Sequence, residues 1–267
     1  MIARAPRDPR LRSIVRTLWC APAAAPRATR ELVLPTGTVH LVFRLDEPLR
    51  LFACADDARG RIVGQALAGG ARASAYLRDV SRPAASVGAQ LLPGAAGLLL
   101  GVPAGALAAQ HVALDAIWGA ASAAVHERVA CARSPEERLA CFEAALIERI
   151  DARRAAHPAV APALRAFDRA ADVKTVVDAS GMSHRAFVQR FREAVGLAPK
   201  LYCRVLRLQR VLQLRASSPA RAWAELALEA GYSDQPHLCR DFAEMVGLSP
   251  RRYAQLACAG ANHVPIA

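Results

Sequence analysis

The sequence predicts an α+β chain: an N-terminal, mainly antiparallel and barrel-like β domain with helices packed on it, followed by an all-α domain of two helix-turn-helix units joined by a long helix. Three observations predict it. Between residues 39 and 91 short apolar runs are separated by Gly, Pro and Asp, as strands with one buried face require. From about residue 91 the apolar pattern changes to the spacing of helical turns. The last hundred residues then state one pattern twice, about fifty residues apart, and a self-similar block of that length is an architectural unit used twice.

In chain order, residues 1–30 are basic, with Arg4, Arg7, Arg10, Arg12, Arg16, Arg27 and Arg30 against Asp8 alone. They read as a solvated arm, and Trp19 and Cys20 lie in a Pro- and Ala-rich stretch that continues to Pro26. Val39, Leu41, Phe43 and Leu45 alternate with His40, Val42 and Arg44, which predicts a half-buried strand. Further short strands are expected at 49–53, 62–66, 73–77 and 86–91. Residues 91–104 and 112–119 read as helical turns on the sheet. Ser134-Pro135-Glu136-Glu137 is a capping box that opens a helix through Leu139, Phe142, Leu146 and Ile150. Residues 1–152 thus form one domain. Charge together with Pro158 and Pro162 places a link over 153–163, a second domain occupies 164–258, and the patternless residues 259–267 read as a mobile tail.

The doubled block is specific. From Gly181 the chain reads G-M-S-H-R-A-F-V-Q-R-F-R-E-A-V-G-L-A-P-K-L-Y, and from Gly231 it reads G-Y-S-D-Q-P-H-L-C-R-D-F-A-E-M-V-G-L-S-P-R-R-Y, one residue longer. Each copy has a turn glycine, a Ser suited to cap a helix (Ser183, Ser233), a core aromatic (Phe191, Phe242), then G-L-x-P and a Tyr. In the first, Val173, Val176 and Val177 face inward before Gly181, and Phe187 and Phe191 lie on one face at i and i+4. Arg185, Val188, Gln189 and Arg192 fall on the other. In the second, Leu238, Phe242 and Met245 form the inner face, and Gln235, Pro236, Cys239 and Arg240 the outer. Pro199 opens the joining helix, whose Leu201, Val205, Leu208 and Leu212 face one way while Arg204, Arg207 and Arg210 face the other.

An outward helix bearing Arg and Gln suits the B-DNA major groove, where those side chains make paired hydrogen bonds to base edges. Arg185, Gln189, Gln235 and Arg240 are the candidate base readers. Arg192, Arg204 and Arg207 are the candidate phosphate contacts.

These segments resemble the DNA-binding domain of AraC-type transcriptional regulators over residues 164–257, in A-S-G-M-S-H-R-A-F-V-Q-R-F, V-G-L-A-P-K-L-Y, L-A-L-E-A-G-Y-S-D-Q-P-H-L-C-R-D-F and V-G-L-S-P-R-R-Y. Pro236 and Cys239 depart from the longer or more polar residues the family carries there. The N-terminal half is similar to that of one AraC subgroup in P-x-G-x-x-x-L-V-F (35–43), L-x-P-G-A-A…L-L-G-V-P-A and a V-x-L…W-G segment. The resemblance implies a regulator that binds double-stranded DNA in the bacterial cytoplasm. It also implies a domain that receives a small-molecule effector or a second copy of the chain, and contact with RNA polymerase if the protein activates. His40, His111, Trp118 and His126 are candidates to line an effector pocket.

Charge agrees once divided by region. The chain carries +12; residues 160–258 hold fifteen Lys and Arg against nine Asp and Glu, residues 31–159 hold thirteen of each, and the remaining excess lies in 1–30. A basic surface attracts phosphate through counterion release. Seven scattered cysteines without Cys-x-x-Cys spacing argue against a disulfide framework or structural zinc, with Cys239 alone on the outward face. No apolar run spans a bilayer. No catalytic constellation, metal or cofactor motif emerges, which ranks an enzyme carried to DNA by such a domain, a repair protein for example, below a regulator.

Overall fold

The computed structural model describes residues 1–25, 28–256, 260 and 262–266. Arg27 and Cys258 lie outside them. Residues 1–25 are no solvated arm. Strand β1 (Ile2–Arg4), helix α1 (Pro9–Arg12) and strand β2 (Val15–Ala21) bury Leu11, Ile14, Val15, Leu18 and Cys20 in the core. A bulge between Val15 and Thr17 in the pairing of β2 breaks the two-residue period, so the strand does not alternate in sequence.

Strands β3 (Arg30–Val33), β4 (His40–Arg44), β5 (Leu49–Phe52), β6 (Arg61–Gly64), β7 (Ala66–Gly69), β8 (Tyr76–Asp79), β9 (Ser86–Leu91), β10 (His111–Ala113) and β11 (His263–Ile266) follow. They form a six-stranded sheet, β1-β2-β9-β4-β7-β10, and a five-stranded sheet, β11-β3-β8-β5-β6. Every pairing is antiparallel. The expected strand over 62–66 is in fact split. Gly64, at φ 143°, lets the chain leave β6 in one sheet and begin β7 in the other. The strand expected at 73–77 starts later, at Tyr76, because the backbone before it serves another contact described below.

Helices α2 (Ala96–Leu100), α3 (Asp115–Trp118), α4 (Ala121–Cys131) and α5 (Pro135–Ile147) complete this half, with α4 packed on β7 and α5 on β2 and β9 of the larger sheet. Alternation decides what they meet. Leu41 and Phe43 of β4 are fully buried, and the Phe43 ring packs edge-on against Phe142 of α5, centroids 5.5 Å apart. His40, Val42 and Arg44 turn the other way, into a cleft between the two sheets. Ser134 caps α5 by accepting from the Glu137 amide at 3.1 Å. The return bond of the box shifts by one residue, since the Glu137 carboxylate accepts from the Arg133 amide at 2.8 Å.

The remaining helices are α6 (Val160–Asp168), α7 (Val173–Ala179), α8 (His184–Val195), α9 (Pro199–Ser217), α10 (Trp223–Glu229), α11 (Gln235–Val246) and α12 (Pro250–Leu256). Their core is aromatic: Phe191 meets Phe167, Phe187 and Tyr202 at 5.5, 5.9 and 5.6 Å, and Phe242 meets Trp223 and Tyr253 at 6.2 and 5.4 Å. The link is short, because α6 already starts at Val160, which is buried.

Among the described residues the helical domain docks on the N-terminal domain at several places, four of which are these. Gln209 of α9 donates to the Pro35 carbonyl at 2.8 Å. The Ala75 amide donates to the Met245 carbonyl, near the end of α11, at 2.7 Å. A 3₁₀ turn, Ala104–Leu107, lies against α8 so closely that a Cβ on Gly105 would stand 3.0 Å from the Arg192 carbonyl oxygen. The fourth is β11. The tail expected to be mobile pairs at 263–266 with β3, Val264 opposite Leu32, and Val264 is fully buried. Polar residues and Pro265 hide this strand in sequence, because it completes a sheet edge from a distant part of the chain.

Candidate nucleic-acid interface

Each helix-turn-helix unit is built by a cap, a glycine and an aromatic wedge. In the first, Asp172 caps α7 by accepting from the Thr175 amide at 3.0 Å. Gly181 takes φ 67° in the turn, a left-handed conformation that costs glycine little. Ser183 then caps α8, accepting from the Ala186 amide at 3.3 Å. In the second unit Gly231 takes φ 90°, but the cap is Asp234, which accepts from the His237 amide at 2.6 Å. Ser233, expected as the cap, instead lies 3.1 Å from the His237 ring. The extra residue of the second copy moves the capping position by one.

On α8 the side chains of Arg185, Gln189 and Arg192 are exposed and Val188 half-buried, at helical spacing i, i+3, i+4 and i+7. Gln189 donates to Glu193 along the helix at 3.1 Å, a bond its amide exchanges for a base edge at small cost. The same stripe forms one wall of a cleft of about 700 Å³ whose other wall is Pro103, Gly105 and Ala106 of the N-terminal domain. On α11, Gln235, Pro236 and Arg240 are exposed and Cys239 is half-buried.

Arg204 and Arg207 occupy different surroundings from those expected of phosphate contacts. Arg204 donates to Asp241 at 2.8 Å and to Glu244 at 2.6 and 3.1 Å, tying α9 to α11. Those two carboxylates raise its basicity further. Arg207 stacks over the Tyr232 ring, 5.3 Å from its centroid, with Asp241 3.8 Å away. The Arg204 charge is answered inside the protein by these carboxylates, whereas Arg207 only shares Asp241 at longer range. The physical reason is Asp241, a buried acid on the inner side of α11 that requires a counter-charge. Exposed basic residues that sequence reasoning passed over include Lys174, Lys200, Arg251 and Arg252. Lys200, Arg251 and Arg252 sit at the starts of α9 and α12, directly after the two G-L-x-P runs. Their matched place in the two copies was the available signal.

His40 and His111 line the cleft between the sheets. Trp118 and His126 do not; Trp118 donates to the Leu99 carbonyl at 3.3 Å, and His126 lies 2.8 Å from the Arg44 carbonyl. Burial pushes His40 down to about 4 and His111 to about 3, with the positive charge of Arg72 adding to both. Among the described residues no three His, Cys, Asp or Glu are placed to hold a metal ion, and no helix is long and apolar enough to cross a membrane.

Two family models match parts of this chain. Residues 176–255 match a family described as a helix-turn-helix domain, and residues 4–113 match a domain of unknown function, DUF6597. An uncharacterized HTH-type transcriptional regulator of Haemophilus influenzae is 30% identical over 81 residues, 30% of this chain and 27% of that protein. The chain therefore spans about a quarter of the length of this curated relative. Among solved structures, ToxT from Vibrio cholerae aligns over 91% of this chain and 98% of its own at 10% identity and a TM-score of 0.48. The C-terminal domain of AraT, a response regulator from Geobacillus stearothermophilus, aligns over 39% of this chain and 89% of its own at 17% identity and a TM-score of 0.36. The protein thus carries a helix-turn-helix domain of the AraC type over residues 176–255, behind a DUF6597 domain over residues 4–113.

Proposed function

We propose that the protein is a sequence-specific regulator of transcription that binds double-stranded DNA through α8 and α11, each entering one of two successive major grooves. The observation that carries this reading is the repeated build of two helix-turn-helix units, each with an exposed Arg and Gln on its outward stripe: Arg185 and Gln189 on α8, Gln235 and Arg240 on α11. Arg192 is the phosphate contact retained from sequence, joined by Lys200, Arg251 and Arg252 at helix starts. Grooves on one face of a duplex recur about every 34 Å, and α9, nineteen residues long, is a strut of about 28 Å at about 1.5 Å per residue.

In this reading residues 1–152 regulate, the helices from α6 onward bind DNA, and the short segment 153–159 links them. The cleft between the sheets receives a small-molecule effector, with self-association through the same domain and contact with RNA polymerase as further partners in the cytoplasm. Selection of bound fragments from bacterial genomic DNA, followed by footprinting, tests the proposal. Two protected patches one helical turn apart are expected, with binding that falls steeply as salt rises. One short patch, or no enrichment over random fragments, overturns it.

A further inference from the structure

The cleft between the sheets has a volume of about 380 Å³ and an unbalanced charge. Its floor is polar and satisfied. His40 Nε2 lies 2.9 Å from Thr36 Oγ1 and 3.1 Å from Thr38 Oγ1, and Gln90 donates to Thr38 at 3.1 Å. Trp19, Leu34, Val42 and Leu67 supply apolar wall. Trp19 lies flat over Gly88, where a Cβ would come within 2.2 Å of the indole.

Arg72 stands out against this lining. Its guanidinium lies over the Tyr76 ring, 4.4 Å from the centroid, and its Nη2 donates to His111 Nδ1 at 3.0 Å. Burial keeps that imidazole neutral at ordinary pH, so it accepts the hydrogen bond and brings no negative charge. Arg78, on the same cleft, is answered by Glu31 at 2.7 Å. Among the described residues no carboxylate pairs with Arg72, and Arg44 nearby donates to a backbone carbonyl, that of Glu47, at 2.7 Å. Arg72 is half-buried, and a guanidinium partly withdrawn from water without an anion is unfavourable, while its planar fork suits a carboxylate held by two parallel bonds.

We propose that this cleft binds a small organic monocarboxylate, its carboxylate held by Arg72 and its body laid on Trp19 and Leu67. This rests on the reading of the cleft as an effector site. The apolar walls favour an organic acid over a bare inorganic anion, which would leave them facing water.

Placement also gives the ligand a route to the helical domain. Arg72 lies between β7 and β8, on a segment whose Ala75 amide holds the Met245 carbonyl. Ala71, beside it, lies 3.0 Å from where a Cβ on Gly196, the end of α8, would stand. Asn262 and His263, entering β11 after the second helix-turn-helix unit, line the same cleft. A carboxylate drawn to Arg72 therefore bears on segments that touch both units, and binding changes affinity for DNA.

The test is calorimetric titration of the full chain with benzoate and hexanoate, with benzamide and hexanamide as uncharged counterparts and inorganic phosphate as the bare anion. At least one carboxylate binds, its amide binds at least about tenfold more weakly, and phosphate does not bind. Arg72→Gln abolishes carboxylate binding, whereas Arg82→Gln, at an exposed arginine paired with Glu47, retains it. The carboxylate and amide comparison on the unaltered protein stands even if Arg72→Gln fails to fold. Equal affinity for acid and amide, binding of phosphate alone, or no carboxylate binding at millimolar concentration overturns the proposal. An amide that binds equally and still shifts DNA affinity refutes the anion and leaves the effector site standing. A chain that binds none of these probes, and whose DNA affinity none of them alters, loses both.

Discussion

Arg204→Ala separates a structural clamp from a phosphate contact. The guanidinium is about one-fifth exposed and spans from α9 to two carboxylates on α11. Glu244 is two-thirds exposed, so that arm is worth about 0–1 kcal/mol. Asp241 is different, with its side chain only one-tenth exposed. Removing one partner of a buried pair costs about 3–5 kcal/mol. Arg207 remains 3.8 Å from Asp241 and offsets part of this, which leaves about 2–3 kcal/mol. At about 2–4 °C per kcal/mol for a chain of this size, the melting temperature falls by about 5–10 °C. Thermal and urea unfolding of Arg204→Ala, Asp241→Ala and the double variant measure the loss. The double variant is expected to be less destabilised than the two single losses added together, by about 1–3 kcal/mol. In parallel, the slope of DNA affinity against salt is unchanged in Arg204→Ala and becomes shallower by about 0.9 in Arg192→Ala. An Arg204→Ala protein as stable as the parent with a shallower salt slope would refute the clamp and restore the phosphate contact.

Four further outcomes are expected. Arg185→Ala costs about 1–3 kcal/mol of binding and relaxes preference at one base position, whereas Arg192→Ala weakens specific and random DNA alike; equal losses for both variants on both DNAs contradict this division. Phe191→Ala, at a fully buried ring among three aromatic neighbours, destabilises by about 3–5 kcal/mol in denaturant titration. Asp234→Ala costs about 1 kcal/mol and Ser233→Ala clearly less, because only Asp234 caps α11; the reverse order in unfolding midpoints would place the cap on Ser233. Stability also falls with acid in two windows. His40 and His111, held by burial near 4 and 3, bind protons more readily unfolded, so stability drops below pH 6.5, by about 2–3 kcal/mol for each and about 5 kcal/mol together by pH 4.5. Glu31 is half-buried, yet the His263 hydrogen bond and the Arg78 charge outweigh that burial and hold it down at about 2. Its contribution is present above pH 4.5 and is lost as pH falls from 4.5 toward 2. A His40→Gln, His111→Gln protein shows a flat profile between pH 6.5 and 4.5.

The helical half was legible because its signals are local. A turn glycine, a capping side chain and aromatics at i and i+4 act within one turn of helix, so Gly181, Ser183, Phe187 and Phe191 announced α7 and α8, and α9 followed from Pro199 and its leucines. Strand β9 was read at its bounds and β4 within a residue, because both alternate cleanly. The first strands were not, since the bulge at Val15 and Thr17 erased the period. The roles first assigned to Arg204 and Arg207 show the same limit. Outward spacing identifies a side of a helix, and only packing shows that a buried Asp241 waits there.

What the sequence determined alone is the two-part architecture, the doubled unit and the outward Arg and Gln of α8 and α11, because periodicity and turn chemistry depend on neighbours in the chain. Only the tertiary structure decided that the last strand closes the first domain's sheet, that Gly105 presses on α8 and that Arg72 stands without a carboxylate among the described residues. Those outcomes depend on residues tens to hundreds of positions apart, whose contact is set by how sheets and helices fill space and which charges that leaves unanswered.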